Sequence, residues 1–81
     1  KSLFKAIYIA HDGREAFEIA QKQVPDIIVS DVMMPVMNGY ELCKAVKENI
    51  GISHILVILL TARNDEQSRL YGYKIGADAY L

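Results

Sequence analysis

The chain has 81 residues, of which 52% are hydrophobic and 23% are charged, and its formal net charge is −1. This composition is typical of one small globular domain and excludes a disordered or fibrous chain. A charge so close to zero offers no electrostatic attraction for nucleic acid or for an anionic membrane surface, so we expect neither as a direct partner. The single cysteine cannot form an intrachain disulfide. Because no signal-peptide pattern opens the chain either, the cytoplasm is the expected location.

Strand and helix patterns alternate in the first part of the chain. Residues 6–10 are predicted to form a strand, and apolar side chains at helical spacing predict a helix over residues 14–23. Pro25 ends that helix. Residues 27–30 are a short apolar run typical of a buried parallel strand, which delivers Asp31 into a turn.

The next predicted helix covers residues 40–47. Asn38-Gly39 suits a turn or a helix start, and Gly51 marks the expected end of the helix. Helical spacing separates three apolar side chains from three charged ones, namely Leu42, Cys43 and Val46 from Lys44, Lys47 and Glu48. We expect the apolar set to lie in the core and the charged set to lie in solvent.

The remaining residues repeat the alternation. Residues 55–60 form a second continuous apolar strand, a helix is predicted from residues 64–67 until Gly76, and residues 78–81 begin another strand. The longest apolar run, residues 55–60, is far shorter than the ~20 residues of a membrane-spanning helix. Alternating strands and helices predict an α/β domain with a parallel sheet and right-handed crossovers. Ligands of such sheets bind beyond the carboxyl ends of the strands, where Asp31 lies.

Three sequence blocks together resemble one known family. Residues 31–39 read Asp, x, x, Met, Pro, x, Met, Asn, Gly after an apolar strand, and residues 55–62 and 76–80 follow at matching distances. The chain resembles the response-regulator receiver domain of two-component (phosphorelay) signalling systems over nearly its whole length. The resemblance implies a flavodoxin-like, doubly wound parallel sheet in three α/β/α layers. It also implies a signalling domain, not an enzyme, that accepts a phosphoryl group from a histidine kinase or a phosphotransfer domain and switches a signalling surface.

The resemblance assigns roles to five residues. Asp31 would be the phosphoacceptor and a ligand of Mg²⁺, and the backbone carbonyl of Met33 would be a second ligand. Thr61 would be the switch hydroxyl, and the backbone amide of Ala62 would face the phosphoryl group. Tyr80 would be the switch aromatic, which turns inward when the hydroxyl moves toward phosphate. Without the resemblance, Asp31 would be read as a turn or capping aspartate, Thr61 as the end of a strand, and Tyr80 as a half-buried tyrosine.

Two parts of the family pattern have no counterpart in the sequence. They are the first strand, which ends in an acidic pair and lies between the strands predicted at residues 6–10 and 27–30, and the last helix. We therefore expect residues 1–81 to be a single receiver domain cut at both ends, with two strands facing a gap and with residues 1–5 as the tail of a helix. Expected partners include a second receiver copy and an output domain outside this chain. Asp12, the only nearby acid that could replace the pair, is interpreted as structural.

Two other functions remain open. A pseudo-receiver has the same fold and binds partners without phosphorylation; the absent acidic pair favours it, whereas the presence of Asp31 and Thr61 argues against it. An aspartate-nucleophile phosphatase of the haloacid-dehalogenase class needs a second acid two residues after the nucleophile, where Met33 stands. Dinucleotide binding is excluded by the absence of Gly-x-Gly-x-x-Gly.

Overall fold

The computed structural model describes residues 6–60 and 66–81, which form alternating strands and helices. In chain order these are β1 (Ile7–Ala10), α1 (Gly13–Gln23), β2 (Ile27–Asp31), α2 (Gly39–Glu48), β3 (Leu56–Leu60), α3 (Glu66–Lys74) and β4 (Ala79–Tyr80). The strands make one parallel sheet in the order β1-β2-β3-β4. The predicted parallel α/β architecture is confirmed. No helix within the described ranges is long and apolar enough to cross a membrane.

Helix α1 begins and ends at residues that suit these positions. The Asp12 side chain accepts hydrogen bonds from the backbone amides of Arg14 at 2.8 Å and Glu15 at 3.4 Å, so it caps the helix. At the other end Val24 adopts a left-handed conformation with φ 43°, and Pro25 follows. The structural interpretation of Asp12 is thereby confirmed.

Helix α2 covers the predicted residues 40–47 and one more residue at each end, and it ends three residues before Gly51. The Asn38 side chain accepts a hydrogen bond from the Glu41 amide at 2.9 Å, and the Glu41 carboxylate accepts one from the Asn38 amide at 2.9 Å. This reciprocal pair satisfies two backbone donors that the helix leaves free. The helix ends at Glu48 with Asn49 as its cap, because the Asn49 side chain accepts a hydrogen bond from the Gly51 amide and turns the chain before the glycine.

The helices cover one face of the sheet. Most strand side chains that point to this face are buried, namely Ala10, Ile28, Ser30, Val57, Leu59 and Tyr80. Alternate residues point to the other face, where Ile7, Ile9 and Leu56 are exposed. Each strand lies beside the next one in the chain, and the strands follow each other across the sheet in one direction. Right-handed crossovers between them therefore place every connecting helix on the same side of the sheet. The described residues thus form two of the three layers that the resemblance implies, one sheet and one layer of helices.

The expectation that the first two strands face a gap is wrong. Strand β1 pairs directly with β2 in parallel register, from Ile7 opposite Ile27 to Ala10 opposite Ser30. The Ala6 amide also donates to the Asp26 carboxylate at 3.0 Å, and the Asp26 amide donates to the Ala6 carbonyl at 3.0 Å. Unpaired strand edges leave backbone donors and acceptors unsatisfied, and direct pairing removes that cost.

Lys47 does not lie in solvent as the helical pattern predicts. Its side chain is only 18% exposed, and its ammonium contacts the Asp78 carboxylate at 2.7 Å and the Ile55 carbonyl at 2.7 Å. Asp78 in turn accepts a hydrogen bond from the Val57 amide at 2.8 Å. The ion pair therefore joins α2 to the amino ends of β3 and β4. The apolar members of the same helix, Leu42, Cys43 and Val46, are fully buried as predicted.

Candidate functional site

Asp31 is the last residue of β2, a strand with a neighbour on each side. Its register partner is Leu60, the last residue of β3, and the Val32 amide donates to the Leu60 carbonyl at 2.9 Å. The carboxyl ends of these two strands therefore lie side by side. Thr61 follows Leu60 directly, but Thr61 and Ala62 lie outside the described residues.

The backbone of Asp31 is held from two sides. The buried Ser30 hydroxyl donates to the Asp31 carbonyl at 2.8 Å. The first residue of α2, Gly39, donates its amide to the Val32 carbonyl at 2.8 Å, and a Cβ at this glycine would lie 2.3 Å from the Asp31 carbonyl oxygen. No side chain fits in that space, so only glycine lets the first turn of α2 approach this closely.

The carboxylate of Asp31, in contrast, is free. The residue is exposed, and within the described part of the chain no hydrogen bond or ion pair engages its side chain. An exposed, unpaired carboxylate at the end of an interior strand remains available to a ligand from solvent. Its backbone is fixed while its oxygens are accessible, which is the arrangement required of a positioned nucleophile.

The loop after Asp31 exposes two apolar side chains. Met33 is 79% exposed and Val36 is 74% exposed. Val36 has φ 68°, and the Met37 amide donates to the Pro35 carbonyl at 2.7 Å, so Val36 is the centre of a γ-turn. Met34 and Met37 pack against the core, whereas the side chain of Met33 does not.

Tyr80 is buried beneath the helices, with 3% of its surface exposed. Its hydroxyl lies 2.9 Å from the hydroxyl of Tyr40 on α2. The ring of Tyr40 also meets the ring of Tyr71 on α3 edge to face, with centroids 4.9 Å apart. The sequence interpretation did not identify Tyr40, although its place directly after Asn38-Gly39 at the start of α2 could have drawn attention to it.

A comparison with known proteins decides the family. Over residues 1–81 the chain matches the family described as the response regulator receiver domain. The chain belongs to this family. The parallel α/β fold is the one that the resemblance predicted, and the comparisons show the function of a receiver domain in two-component signalling.

Curated relatives of this receiver domain include regulators and a kinase. It is 45% identical over 75 residues to the "Probable transcriptional regulator ycf29" of Pyropia yezoensis, covering 93% of this chain and 34% of that protein. It is 46% identical over 72 residues to "Histidine kinase P4" of Formosa agariphila, covering 89% of this chain and 5% of that protein. The chain thus spans about a third or less of these two relatives.

Solved structures have the same fold. The chemotaxis protein CheY4 of Vibrio cholerae is 40% identical, with a TM-score of 0.80 over 89% of this chain and 60% of that chain. The Mn(2+)-bound form of response regulator Rcp1 is 25% identical, with a TM-score of 0.80 over 100% of this chain and 64% of that chain. The flavodoxin-like receiver fold is therefore confirmed.

The donors present near Asp31 suit a hard divalent cation that keeps much of its water. Within residues 6–60 and 66–81, no three His, Cys, Asp or Glu side chains cluster in a way that could hold a metal ion. Mg²⁺ usually binds one or two carboxylates, retains several waters and takes further oxygens from a phosphate. The exposed Asp31 carboxylate and the backbone carbonyls of the loop after it are ligands of this kind, whereas the described residues contain no closed site made only of side chains.

Cys43 contributes no chemistry to the site. Its side chain is fully buried. Burial raises the pKa of the Cys43 thiol to about 11, while Lys47 opposes the shift and Asp78 adds to it. Because the thiolate is the reactive form, this cysteine is inert at neutral pH, in agreement with its interpretation as a core residue.

Proposed function

We propose that Asp31 is the phosphoacceptor of this receiver domain and takes its phosphoryl group from a phosphohistidine on a histidine kinase or a phosphotransfer domain. The single observation that carries the proposal is the exposed carboxylate of Asp31 at the end of an interior strand, bound to no described residue, on a backbone held by Ser30 and Gly39. One Asp31 oxygen would form the new O–P bond while the N–P bond of the phosphohistidine breaks and its nitrogen leaves as imidazole.

The surroundings of Asp31 favour negative charge during this transfer. The first turn of α2 lies against the Asp31 backbone, and the amino end of a helix carries a partial positive charge. Asp31 and the backbone carbonyl of Met33 would hold Mg²⁺, which when bound would neutralise charge on the phosphoryl oxygens. Binding of a divalent cation is supported by the Mn(2+)-bound form of the similar Rcp1. Thr61, Ala62 and Tyr80 keep the roles that the resemblance implies.

The proposal describes a phosphoacceptor and not an enzyme with a separate substrate. Kinase-containing and regulatory relatives support a histidine kinase as the donor and an output domain as the recipient of the signal. The exposed side chains of Met33 and Val36 lie on the loop that follows Asp31 and supply apolar contact area for a docking donor.

Mass spectrometry of the intact chain tests the assignment. The wild-type protein is incubated with Mg²⁺ and a small phosphodonor such as acetyl phosphate, and uptake of one phosphoryl group is expected. The Asp31→Asn variant should take up none. Asp12→Asn is the matched control, since asparagine caps α1 as well as aspartate does and uptake should be retained. Equal uptake by wild type and Asp31→Asn would refute the assignment, and no uptake by wild type would favour a pseudo-receiver.

A further inference from the structure

Strand β1 has an open edge on the side away from β2. Within the described residues β1 pairs with β2 alone and is the first strand of the sheet. The Ala6 carbonyl accepts a hydrogen bond from the Asp26 amide at 3.0 Å, so the backbone of Ala6 faces β2. Backbone groups of successive residues in a strand point to alternate sides. The backbone of Tyr8 therefore also faces β2, whereas the amides and carbonyls of Ile7 and Ile9 point to the open edge.

Strand β1 has none of the features that usually protect an edge strand. Such edges are normally blunted by charged side chains, by proline or by a bulge. The sequence of β1 is Ile-Tyr-Ile-Ala, its pairing with β2 runs without interruption, and the side chains of Ile7 and Ile9 are each 59% exposed. The opposite edge strand, β4, has only two residues. The open edge of β1 is therefore the described part of the sheet best suited to pair with another strand.

The open edge of β1 is complementary to itself. If two copies run antiparallel about a two-fold axis at Tyr8, Ile7 of one copy lies opposite Ile9 of the other, and each such pair exchanges hydrogen bonds in both directions. This register uses every backbone group that points to the open edge, whereas a register centred on Ile7 or on Ile9 uses half of them. The exposed side chains of Ile7 and Ile9 would also meet across the axis and bury apolar surface.

Charges on helix α1 favour the same arrangement. The Tyr8 hydroxyl donates to the Glu15 carboxylate at 3.3 Å, so the first turn of α1 lies over β1. Lys22, in the last turn, follows Glu15 by about two helical turns and is on the same side of the helix. A two-fold axis at Tyr8 reverses the direction of the second helix, so the acidic start of one α1 lies beside the basic end of the other. Opposite charges therefore meet on both sides of the axis.

We propose that the open edge of β1 is a dimerisation surface, on which a second copy of this chain adds its own β1 in antiparallel pairing centred on Tyr8. The two sheets then form one continuous sheet, and the pairing is closed because the axis uses the open edge of both copies. The second copy is the partner because the backbone groups of β1 and the charges of α1 both match their own two-fold image. Asp31 is on β2 and takes no part in this edge, so the dimer forms without phosphorylation.

Sedimentation equilibrium of the full chain without a phosphodonor tests the proposal, and a monomer–dimer equilibrium is expected for wild type. Ile9→Lys places an ammonium in both symmetric contacts, so the dissociation constant should rise about thirty-fold. Leu56→Lys is the matched control. Leu56 is 41% exposed on the same face of the sheet but lies on the interior strand β3, so the dissociation constant should stay as in wild type. Urea unfolding checks that both variants fold.

Hydrogen exchange of wild type is a second measurement that needs no variant. The amides of Ile7 and Ile9 are open to water in the monomer and bonded in the dimer. Their exchange should slow about five-fold at a protein concentration about ten times the dissociation constant, where about a fifth of the chains remain monomers. The Tyr8 amide faces β2 in monomer and dimer alike, so its exchange should depend little on concentration and is the internal control.

The outcomes decide the dimer independently of phosphate uptake. A weaker dimer in Ile9→Lys alone, together with slower exchange at Ile7 and Ile9, supports the proposal. A wild-type monomer at all concentrations, or an open-ended series of larger assemblies, overturns it. Equal weakening by Leu56→Lys would mean that the exposed faces of two sheets stack, and a dimer without slower exchange at Ile7 and Ile9 would mean that another surface associates; both overturn it. If Ile9→Lys does not fold, the exchange measurement decides.

Discussion

Asp31 and Asp78 lie at opposite ends of the sheet and have opposite environments. At the carboxyl end the backbone of Asp31 is held by Ser30 and α2, while its carboxylate contacts none of the described residues. At the amino end the carboxylate of Asp78 binds the Lys47 ammonium and the Val57 amide. The difference teaches that a carboxylate that already has its partners stabilises the fold, whereas the Asp31 carboxylate, exposed and bound to no described residue, suits the phosphoacceptor role proposed for it.

The largest expected effect comes from filling the contact behind Asp31. Alanine at Gly39 would place its Cβ 2.3 Å from the Asp31 carbonyl oxygen and 2.9 Å from the Val32 Cα, and neither backbone atom can move without breaking the strand. We expect Gly39→Ala to lower the free energy of unfolding by about 3 kcal/mol in urea denaturation. Gly51→Ala is the control, since its nearest neighbour is the Asn49 side chain at 3.4 Å. Equal stability of the two variants would show that the close approach of α2 is not rigid.

Loss of the ion pair at the amino end of the sheet should lower the free energy of unfolding by a smaller amount. Asp78→Ala leaves the Lys47 ammonium and the Val57 amide without this partner, and these groups are only partly exposed. The expected loss in the free energy of unfolding is about 2 kcal/mol. On α2 itself, Lys47→Met should lose a similar amount and the exposed Lys44→Met should lose almost nothing. If Lys44→Met lowers the free energy of unfolding as much as Lys47→Met does, the ion pair between Lys47 and Asp78 is not the source of the stability.

The loop beside Asp31 should become more stable when its strain is removed. Val36 has a left-handed φ of 68° and a mostly exposed side chain, so glycine would relieve backbone strain with little loss of burial. The relief of about 1–2 kcal/mol exceeds the entropic cost of glycine, and Val36→Gly should raise the free energy of unfolding by about 0.5–1 kcal/mol. Val29→Gly, in an extended strand, should instead destabilise the protein. A lower free energy of unfolding for Val36→Gly would show that the backbone of Val36 is not strained in the γ-turn.

The last effect is confined to alkaline pH. Burial raises the Cys43 pKa from its ordinary value of 9.0 to about 11, so the folded state retains the thiol proton at pH values where the unfolded state has lost it. This contribution to stability is complete below pH 9 and is lost as pH rises toward 11. The free energy of unfolding should therefore fall more steeply between these pH values in wild type than in Cys43→Ala. Parallel curves for the two proteins in urea titrations at several pH values would contradict the assignment of the shift to burial.

Much of the fold could be predicted because local patterns determine it. The apolar runs, the helical spacing in α1 and α2 and the break at Pro25 lie within a residue or two of the observed elements. Asn38-Gly39, which suits a turn or a helix start, begins α2. Gly51 does not close α2 as expected, because the helix ends at Glu48 with Asn49 as its cap and the Asn49 side chain accepts a hydrogen bond from the Gly51 amide; a helical pattern does not record such a bond.

The remaining errors concern contacts between distant parts of the chain. Lys47 lies on the polar side of α2 by spacing, yet a long side chain can reach a partner on another element, and Asp78 is 31 positions away. The direct pairing of β1 with β2 depends on which strand edges are left open, which periodicity does not encode. The bond between Tyr40 and Tyr80 was missed for the same reason, because nothing in either local sequence indicates the other.

Locating the phosphoryl group on the wild-type chain tests the central claim most directly. After reaction with acetyl phosphate and Mg²⁺, borohydride reduction converts a phosphorylated aspartate to homoserine, and peptide sequencing by mass spectrometry identifies the position. The account predicts homoserine at position 31 and aspartate retained at position 78. Homoserine at position 78, or at several aspartates in comparable amounts, would contradict the division of roles between the two ends of the sheet.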